Sequence, residues 1–430
     1  MSLPNTLEGW LERLERQHPV AIDLGLERVE LVAHRLGLLD TPPAKRIITV
    51  AGTNGKGSTV AMLEALAQAH GISTATYTSP HLLRYNERLH LDGVEGSDEA
   101  FIRAFAAIEA ARGDISLTYF ETGTLAALVL IAEYRPELAI LEVGLGGRLD
   151  AVNVVAPDVA VVTTVAHDHS AFLGDDLESI GYEKAGIMRA GRPVVLGSER
   201  LPHSVDAHAT ALPVSSSHQL GREYGHMVDQ AGWRWWGNDT TGSSLSLEVL
   251  PDPGLPLDNA ATALQAFILA GFSPEISHTR KAFASVCLPG RMQWLGHWCL
   301  DVAHNPHAAA YVAARLASRT PKRRIALLGM LGDKDARGVV EALSPVIDGW
   351  VVATLEGERA RSAQELAGHV RASGGEVLRE VASPRDGAMW LETFSDNDIE
   401  ILVCGSFFTV SAVLAYLSPD GQAYQAEESA

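Results

Sequence analysis

The sequence has few cysteines, no long apolar run and no excess of basic residues. Its three cysteines form no C-x-x-C pair, which argues against a disulfide framework and against a thiolate zinc site. The longest apolar stretches, such as 125–132, are much shorter than the roughly 20 residues that a membrane-spanning helix needs. Residues 1–20 carry Glu and Arg where a secretory signal needs an apolar core. We therefore expect a cytoplasmic protein.

The formal net charge is −19, so basic residues are in deficit over the whole chain. Non-specific binding to nucleic acid or to an anionic membrane needs a concentrated basic surface, and we expect neither partner. Small anionic ligands remain compatible with this charge, because a few Lys, Arg and backbone N–H groups can bind phosphates locally. We therefore expect small-molecule substrates, and separately we expect a monomer.

The chain has 430 residues and 47% hydrophobic content, which is enough for two cores. Short β-branched runs alternate with amphipathic stretches from residue 46 onward, a pattern typical of an α/β fold. Residues 196–255 lack this periodicity, and we expect an antiparallel or irregular excursion there. The predicted domains are 1–290 and 291–430. We predict a helix at 60–70 and strands at 47–52, 137–143, 158–165, 324–330, 349–355 and 400–406.

A glycine-rich loop follows the first predicted strand and precedes the first predicted helix of this series. Backbone N–H groups in such a loop bind phosphate oxygens. The common pattern G-x-x-x-x-G-K-[ST] is matched imperfectly, because Val50 replaces its first glycine and Gly57 separates the lysine from the hydroxyl residue. A plain glycine-rich turn is the alternative. The predicted ATP-binding residues of the loop are Thr53, Asn54, Gly55, Lys56, Gly57 and Ser58.

This loop, GTNGKGS, resembles that of the Mur ligase superfamily, and specifically of the folylpolyglutamate synthetase family. Further segments that resemble the family are EVGLGGRLDAVN (142–153), EKAG (183–186), DNAATAL (258–264), PGRMQ (289–293) and DVAHNP (301–306). The resemblance implies an α/β fold with a P-loop Mur-ligase-type central domain and a mostly parallel sheet. A smaller Rossmann-like α/β domain would follow at the C-terminus.

The resemblance also implies the roles of individual residues. Without it, Glu142 is either a Mg²⁺ ligand or a strand-terminal surface residue, and Lys184 is a helix-surface lysine. The implied metal ligands are Ser79, Glu142, His169 and Lys184, the last as a carbamate. The implied catalytic residues are Lys56, Lys184, His169 and Glu142. The further nucleotide-binding residues are Asn259 along the adenine edge, Arg291 on phosphate, Asp301 on ribose, and His304.

Three other segments point to the acid substrate: DLGLERV (23–29), SPHLLRYNERLHLDG (79–93) and LTYFETGTLAAL (117–128). They resemble the bacterial bifunctional branch of the family, which makes dihydrofolate and polyglutamates. Only residues 1–49 precede the loop, and we expect one helical segment at 22–29 instead of a separate uridine-nucleotide domain. For the Phe and Asp residues of these segments, the alternatives to substrate binding are a core Phe and helix-capping Asp residues. The implied dihydropteroate pocket contains Asp23, Leu24, Gly25, Thr118, Tyr119, Phe120, Glu121, Leu149, Asp150 and Ala151.

We therefore expect an ATP-dependent ligase that joins L-glutamate to 7,8-dihydropteroate and adds further glutamates to tetrahydrofolate. The reaction would pass through an acyl phosphate and use Mg²⁺, with room for a monovalent cation such as K⁺. The sequence contains no G-x-S-x-G elbow, which a serine nucleophile of that type would need. A monofunctional folylpolyglutamate synthetase, another Mur-type amino-acid ligase, and a simple ATPase or switch are the alternatives.

Overall fold

The computed structural model describes residues 3–20, 22–168, 170–320, 322–357, 359–394 and 399–418. The chain forms two compact units, Met1–Val286 and Cys287–Ala430, here called the first and second units. The predicted boundary after residue 290 falls close to this division. Within the described ranges, no helix is long and apolar enough to cross a membrane.

The first unit contains an eight-stranded sheet, which is mostly parallel as predicted. Its strands are β1 (Arg46–Ala51), β2 (Thr74–Tyr77), β3 (Leu89–Leu91), β4 (Val94–Glu95), β5 (Leu138–Glu142), β6 (Val159–Val162), β7 (Val194–Leu196) and β8 (Ser217–Gln219). Their spatial order is β4-β3-β2-β5-β1-β6-β7-β8. The β2–β3 and β3–β4 pairs are antiparallel, and the others are parallel. The carboxyl ends of β1, β2, β5 and β6 therefore lie at one edge, where open α/β sheets bind ligands.

Helices flank this sheet and bury its apolar side chains. They are α1 (Leu7–Gln17), α2 (Glu27–Arg35), α3 (Lys56–Ala69), α4 (Asp98–Arg112), α5 (Tyr119–Tyr134), α6 (Ser170–Leu173), α7 (Leu177–Ala185), α8 (His203–Ala211), α9 (Leu257–Leu269) and α10 (Ile276–Ser285). Short 3₁₀ turns span Tyr85–Arg88 and Ala151–Val154. Helix α9 is buried on all sides from Asn259 to Leu269, which fits an apolar helix inside a large domain.

The N-terminal segment differs from its prediction. Residues 22–26 are not helical, and helix α2 begins only at Glu27. A second helix, α1, precedes it, with Thr6 as its N-cap accepting a hydrogen bond from the N–H of Gly9 at 3.2 Å. The buried side chains of α1 are Leu7, Trp10 and Leu14. The prediction of a single helix before the loop was therefore wrong, although the helical spacing of these apolar residues is present in the sequence.

A small antiparallel sheet confirms part of the expected excursion. Its strands are β9 (Gly225–Asp229), β10 (Gly232–Asn238) and β11 (Ser244–Leu250), in the order β11-β10-β9. Trp233 and Trp235 of β10 are buried, and the Nε1 of Trp235 donates to the carbonyl of Ala261 in α9 at 3.2 Å. The rest of 196–255 is more regular than expected, because it contains α8 and β8.

The second unit is a Rossmann-like six-stranded sheet with helices between its strands. The strands are β12 (Gln293–Leu295), β13 (Trp298–Leu300), β14 (Arg323–Leu328), β15 (Gly349–Ala353), β16 (Val377–Val381) and β17 (Ile399–Cys404). Their order is β12-β13-β17-β14-β15-β16, with β12 antiparallel to β13 and the other pairs parallel. The helices are α11 (Pro306–Ala317), α12 (Ala336–Leu343), α13 (Ala363–Ala372), α14 (Pro384–Leu391) and α15 (Phe407–Leu417). The three strands predicted here are confirmed as β14, β15 and β17.

Candidate active site

The glycine-rich loop after β1 is anchored to the residues that follow β6. The N–H of Thr53 donates to the carbonyl of Thr164 at 2.7 Å, and the N–H of Asn54 donates to Thr164 Oγ1 at 3.1 Å. The Oγ1 of Thr163 donates to the Asn54 carbonyl at 2.7 Å. Strand β6 ends at Val162, earlier than predicted. The Thr163 N–H still donates to the Ala51 carbonyl of β1 at 2.9 Å, and the further bonds of the two threonines described here are with the loop.

The loop ends at Gly55, which has a φ of +91° and is the N-cap of α3. An added Cβ at Gly55 would lie only 2.7 Å from Asn259 Oδ1, so this position favours glycine for two reasons. Lys56 starts the helix, earlier than predicted, and its Nζ donates to the Gly52 carbonyl at 3.0 Å. The first N–H groups of a helix lack intrahelical acceptors, so α3 offers donors and a positive dipole end to phosphate.

Asn259 contacts this loop directly. Its Nδ2 donates to Ser58 Oγ at 2.7 Å, and Ser58 Oγ donates in turn to the Gly55 carbonyl at 3.1 Å. Asn259 is only 4% exposed. Asn259 therefore holds the phosphate loop in shape through its amide, while its contact along an adenine edge stays a prediction.

Ser79 and Glu142 meet at the carboxyl ends of β2 and β5. The backbone N–H of Ser79 donates to Glu142 Oε2 at 3.2 Å, and Glu142 is 6% exposed. Because Val50 of β1 pairs with Glu142, this carboxylate also lies next to the strand that leads into the phosphate loop. The structure therefore brings together two of the four predicted metal ligands.

Lys184 lies in the last turn of α7, which packs on the segment after Glu142. The N–H of Arg148 donates to the Glu183 carbonyl at 2.7 Å, and Arg148 Nη2 donates to Glu183 Oε1 at 2.8 Å. A Cβ added at Gly186 would lie 2.3 Å from Arg148 Cβ, so the EKAG and GGRLD motifs require close contact. These contacts fix the helix turn that contains Lys184, which is only 3% exposed.

Burial changes the titration of two groups in this region. The pKa of Lys184 is lowered to about 7, first by burial and then by the nearby charge of Lys56. Burial raises the pKa of Asp150 to about 6, against the opposing effect of its hydrogen bonds. Asp150 Oδ2 accepts from the N–H of Leu145 at 2.8 Å, and Oδ1 accepts from that of Val152 at 2.9 Å. The carboxylate of Asp150 therefore caps the local turn, which is the alternative role considered for it.

The predicted acid pocket begins at the N-terminus of α5. Thr118 and Glu121 form a capping box, in which the Thr118 N–H donates to Glu121 Oε2 at 2.7 Å and the Glu121 N–H donates to Thr118 Oγ1 at 3.1 Å. The ring of Phe120 covers Gly144, where an added Cβ would lie 2.5 Å from the ring. This flat apolar face therefore lies immediately beyond Glu142 and beside the predicted metal site.

Arg28 links two segments of this pocket and was missed from the sequence. Its Nη1 lies 2.7 Å from Asp23 Oδ2, and its Nη2 donates to Glu121 Oε1 at 2.9 Å. Leu24 and Gly25 follow Asp23 and are half-buried. The DLGLERV motif contains the arginine, but only the fold indicates that it bridges two carboxylates distant in sequence.

The remaining predicted pocket residues lie near the turn that Asp150 caps. Leu149 is half-buried and Ala151 is buried at the start of the 3₁₀ turn. Tyr119, the first residue of α5, packs edge-on against Tyr85 with ring centroids 6.0 Å apart. His169 lies outside the described residues. Among the residues that the structure does describe, no group of three or more His, Cys, Asp or Glu side chains could hold a metal ion.

The second unit has its own cluster of predicted residues. The guanidinium of Arg291 lies 5.2 Å from the ring centroid of Phe407, and the ring of His304 lies 6.4 Å from it. Asp301 accepts from the N–H groups of Met292 at 2.9 Å and Ala303 at 2.8 Å, and burial raises its pKa. Asp301 thus organises the turn that carries the cluster. This structural role was not predicted from the sequence, which predicted a contact with ribose.

The phosphate loop, the buried glutamate and the Rossmann-like second unit together define a Mur-type nucleotide-dependent ligase. The family model for the Mur ligase middle domain matches residues 50–196, and that for the Mur ligase glutamate ligase domain matches residues 290–407. A curated dihydrofolate synthase/folylpolyglutamate synthase from Escherichia coli is 45% identical over 412 residues, covering 95% of this chain and 94% of the relative. The chain belongs to the dihydrofolate synthase/folylpolyglutamate synthase family.

Solved structures agree with this assignment. E. coli FolC in complex with DHPP and ADP matches with a TM-score of 0.91 and 42% identity, over 97% of this chain and 99% of that one. The bifunctional enzyme of Yersinia pestis, complexed with AMPPNP and Mn ion, matches with a TM-score of 0.90 and 43% identity, over 97% and 99%. The family and the fold class predicted from the sequence are both confirmed.

Proposed function

We propose that this chain is an ATP-dependent ligase that joins L-glutamate to 7,8-dihydropteroate and adds further glutamates to tetrahydrofolate. The observation that carries the proposal is the convergence of Lys56, Glu142 and Phe120 at one edge of the first sheet. This edge combines a phosphate-binding loop, a buried carboxylate and a flat apolar face. The full-length similarity to bifunctional relatives supports the same substrates, and the nucleotide and manganese complexes of those relatives support ATP and a divalent metal.

The nucleotide phosphates are assigned to the loop 53–58. Lys56 neutralises phosphate charge, and the N–H groups at the start of α3 donate to phosphate oxygens. Asn259 holds Ser58 at 2.7 Å and thereby keeps the loop in its binding shape. This arrangement positions the terminal phosphate of ATP for attack and requires no covalent protein nucleophile.

A divalent cation fits the residues around Glu142. The carboxylate is buried and held by the Ser79 N–H, and oxygen ligands of this kind suit Mg²⁺. We assign Ser79, Glu142, His169 and a carbamate of Lys184 as its ligands. When bound, the cation neutralises charge that develops on the phosphate oxygens. A monovalent cation such as K⁺ would need additional oxygen ligands.

Carbamylation of Lys184 is supported by its burial. A neutral amine is needed to attack CO₂, and the product is an anionic carbamate plus one proton. The pKa of Lys184, lowered to about 7 by burial and by Lys56, leaves a large neutral fraction near neutral pH. The contacts of Arg148 with Glu183 hold the last turn of this helix against the segment that follows Glu142.

The reaction follows from these positions. A carboxylate oxygen of the acid attacks the terminal phosphorus of ATP, ADP leaves, and an acyl phosphate forms. The amine of L-glutamate then attacks the acyl carbon, the amide bond forms and phosphate leaves with one former carboxylate oxygen. Lys56 stabilises charge in both steps, while Phe120 supports the aromatic ring of the acid.

The other assignments belong to the same proposal. The acid pocket comprises the segments 23–25, 118–121 and 149–151, with Asp23 as the candidate for the amino-pterin edge. Arg291, Asp301 and His304 are assigned to nucleotide binding, and the loops at His304 and 406–407 are candidates for the incoming glutamate. We also propose domains of 1–290 and 291–430, a monomer and a cytoplasmic location. Light scattering of the purified chain would test the monomer.

The proposal is tested by measuring ADP release with L-glutamate and either dihydropteroate, tetrahydrofolate or no acid. We expect both acids to stimulate release and the control to stay near background. Stimulation by tetrahydrofolate alone would indicate a monofunctional folylpolyglutamate synthetase. ADP release that neither acid changes would refute the folate assignment.

A further inference from the structure

Arg88 is a buried arginine that the mechanism above does not use. It ends the 3₁₀ turn Tyr85–Arg88, immediately before β3, and is only 8% exposed. Its carbonyl accepts from the N–H of Thr78 at 2.9 Å. Thr78 precedes Ser79, so Arg88 lies at the same carboxyl-end edge of the sheet as the proposed metal site.

The Arg88 side chain contacts neutral and aromatic groups. Its Nε donates to His81 Nδ1 at 2.9 Å. The guanidinium carbon lies 5.2 Å from the ring centroid of Tyr85 and 5.4 Å from that of Tyr119. In the part of the chain that the structure describes, no carboxylate forms an ion pair with Arg88.

Arg324 is the other buried arginine of the described residues, and a carboxylate neutralises it. Arg324, which is 6% exposed, donates through Nε to Glu400 Oε2 at 2.8 Å. Arg28, which is only half-buried, also bridges two carboxylates, those of Asp23 and Glu121. A buried guanidinium without a carboxylate is costly, because arginine stays charged and loses its hydration. Arg88 is therefore the unusual case, and its terminal N–H groups suit a planar anion that accepts two parallel hydrogen bonds.

The surroundings of Arg88 indicate which anion this is. Tyr119, whose ring contacts the guanidinium, precedes Phe120, whose ring covers Gly144 beyond Glu142. The backbone of Arg88 bonds to Thr78, and the next residue, Ser79, donates to Glu142. We propose that Arg88 binds the carboxylate of the acid substrate that becomes phosphorylated. This inference rests on the proposed function and deepens it by assigning a recognition residue for the reacting group.

The inference separates two carboxylates. Dihydropteroate carries only the benzoate carboxylate that reacts, whereas a tetrahydrofolate carries the reacting γ-carboxylate and an α-carboxylate on its glutamate. Because Arg88 is assigned to the reacting group, its replacement should impair both activities. A residue that recognised the α-carboxylate would affect polyglutamylation alone.

The experiment compares wild type, Arg88→Gln, Arg88→Lys and the control Arg84→Gln. Arg84 precedes the same 3₁₀ turn, is exposed and pairs with Glu95 at 2.6 Å. Calorimetry with ADP present gives the Kd of dihydropteroate and of its carboxamide, which lacks the negative charge. We expect Arg88→Gln to weaken dihydropteroate binding by about 10- to 100-fold, the range for a charge-assisted hydrogen bond. Binding of the carboxamide should change much less, and Arg88→Lys should retain part of the preference for the carboxylate.

Several outcomes would overturn the inference. Equal weakening of both ligands in Arg88→Gln would indicate a purely structural role, and an unchanged preference for the carboxylate would indicate no contact. Loss of polyglutamylation alone would assign Arg88 to the α-carboxylate. If wild type ligated neither acid, the proposed function itself would fail, which is a different result from a failure confined to the Arg88 variants.

Discussion

Gly55→Ala is the substitution that most directly tests the geometry of the phosphate loop. The residue has a φ of +91°, and a new Cβ would lie 2.7 Å from Asn259 Oδ1 and 2.9 Å from Nδ2. Asn259 would have to move, and its 2.7 Å hydrogen bond to Ser58 would be lost. The change therefore combines backbone strain with loss of a buried side-chain contact.

The two contributions can be separated with Gly71→Ala. Gly71 follows the C-terminus of the same helix, has a φ of +71° and has nothing within 4 Å of an added Cβ. We expect Gly71→Ala to lower the free energy of unfolding by about 1–2 kcal/mol through strain alone. Gly55→Ala should lower it by about 1.5–3.5 kcal/mol, because a hydrogen bond of about 0.5–1.5 kcal/mol is also lost.

Scanning fluorimetry and ADP titration measure these effects. The Tm of Gly55→Ala should lie about 1–6 °C below that of Gly71→Ala. Its Kd for ADP should rise at least about tenfold, as expected for losing one charge-assisted contact to phosphate, whereas Gly71→Ala should bind ADP like wild type. Equal Tm and equal ADP affinity in the two variants would refute the role given to Asn259.

Three further predictions concern neighbouring groups. Arg28→Gln should raise the KM for dihydropteroate about fivefold with little change for ATP, because Asp23 and Glu121 lose a partly exposed ion pair; an unchanged KM would contradict the bridging role. Lys184→Ala should abolish most activity, with partial rescue by acetate if a carbamate is the ligand, and full activity would exclude the assigned role. Burial raises the pKa of Asp150 to about 6, so its folded-state pKa exceeds the unfolded value and its stabilising effect disappears as pH rises. Denaturant titrations measure the free energy of unfolding, which in wild type should fall by up to about 3 kcal/mol relative to Asp150→Asn between about pH 4 and pH 7. If the free energies of unfolding of the two proteins changed in parallel with pH, the raised pKa would be contradicted.

Local sequence patterns predicted the core of the fold well. The buried strand before the loop, the apolar helix after it and the three strands of the second unit each extend over a continuous stretch with a clear period. The errors occur at the ends of elements. Strand β6 stops before Thr163 and Thr164, whose side chains bond to the loop, and the predicted helix at 22–29 begins only at Glu27.

The site was predictable in its motifs but less so in its contacts. The motifs named Ser58, Asn259 and Glu121, yet their hydrogen-bond partners depend on the tertiary structure. Asn259 and Ser58 are separated by 201 positions, and Arg28 and Glu121 by 93. Such contacts cannot be derived from the periodicity of one sequence, because they depend on how distant elements pack. The same reason explains why the neutral surroundings of Arg88 emerged only from the fold.

Transfer of oxygen from the acid to phosphate is the most direct test of the central claim. Dihydropteroate labelled with ¹⁸O in its carboxylate is incubated with the wild-type enzyme, ATP, Mg²⁺ and L-glutamate, and the products are analysed by mass spectrometry. An acyl phosphate predicts dihydrofolate as the product and one ¹⁸O atom in each phosphate released from fully labelled acid. Dihydrofolate formed with unlabelled phosphate, or phosphate released without amide formation, would contradict the account.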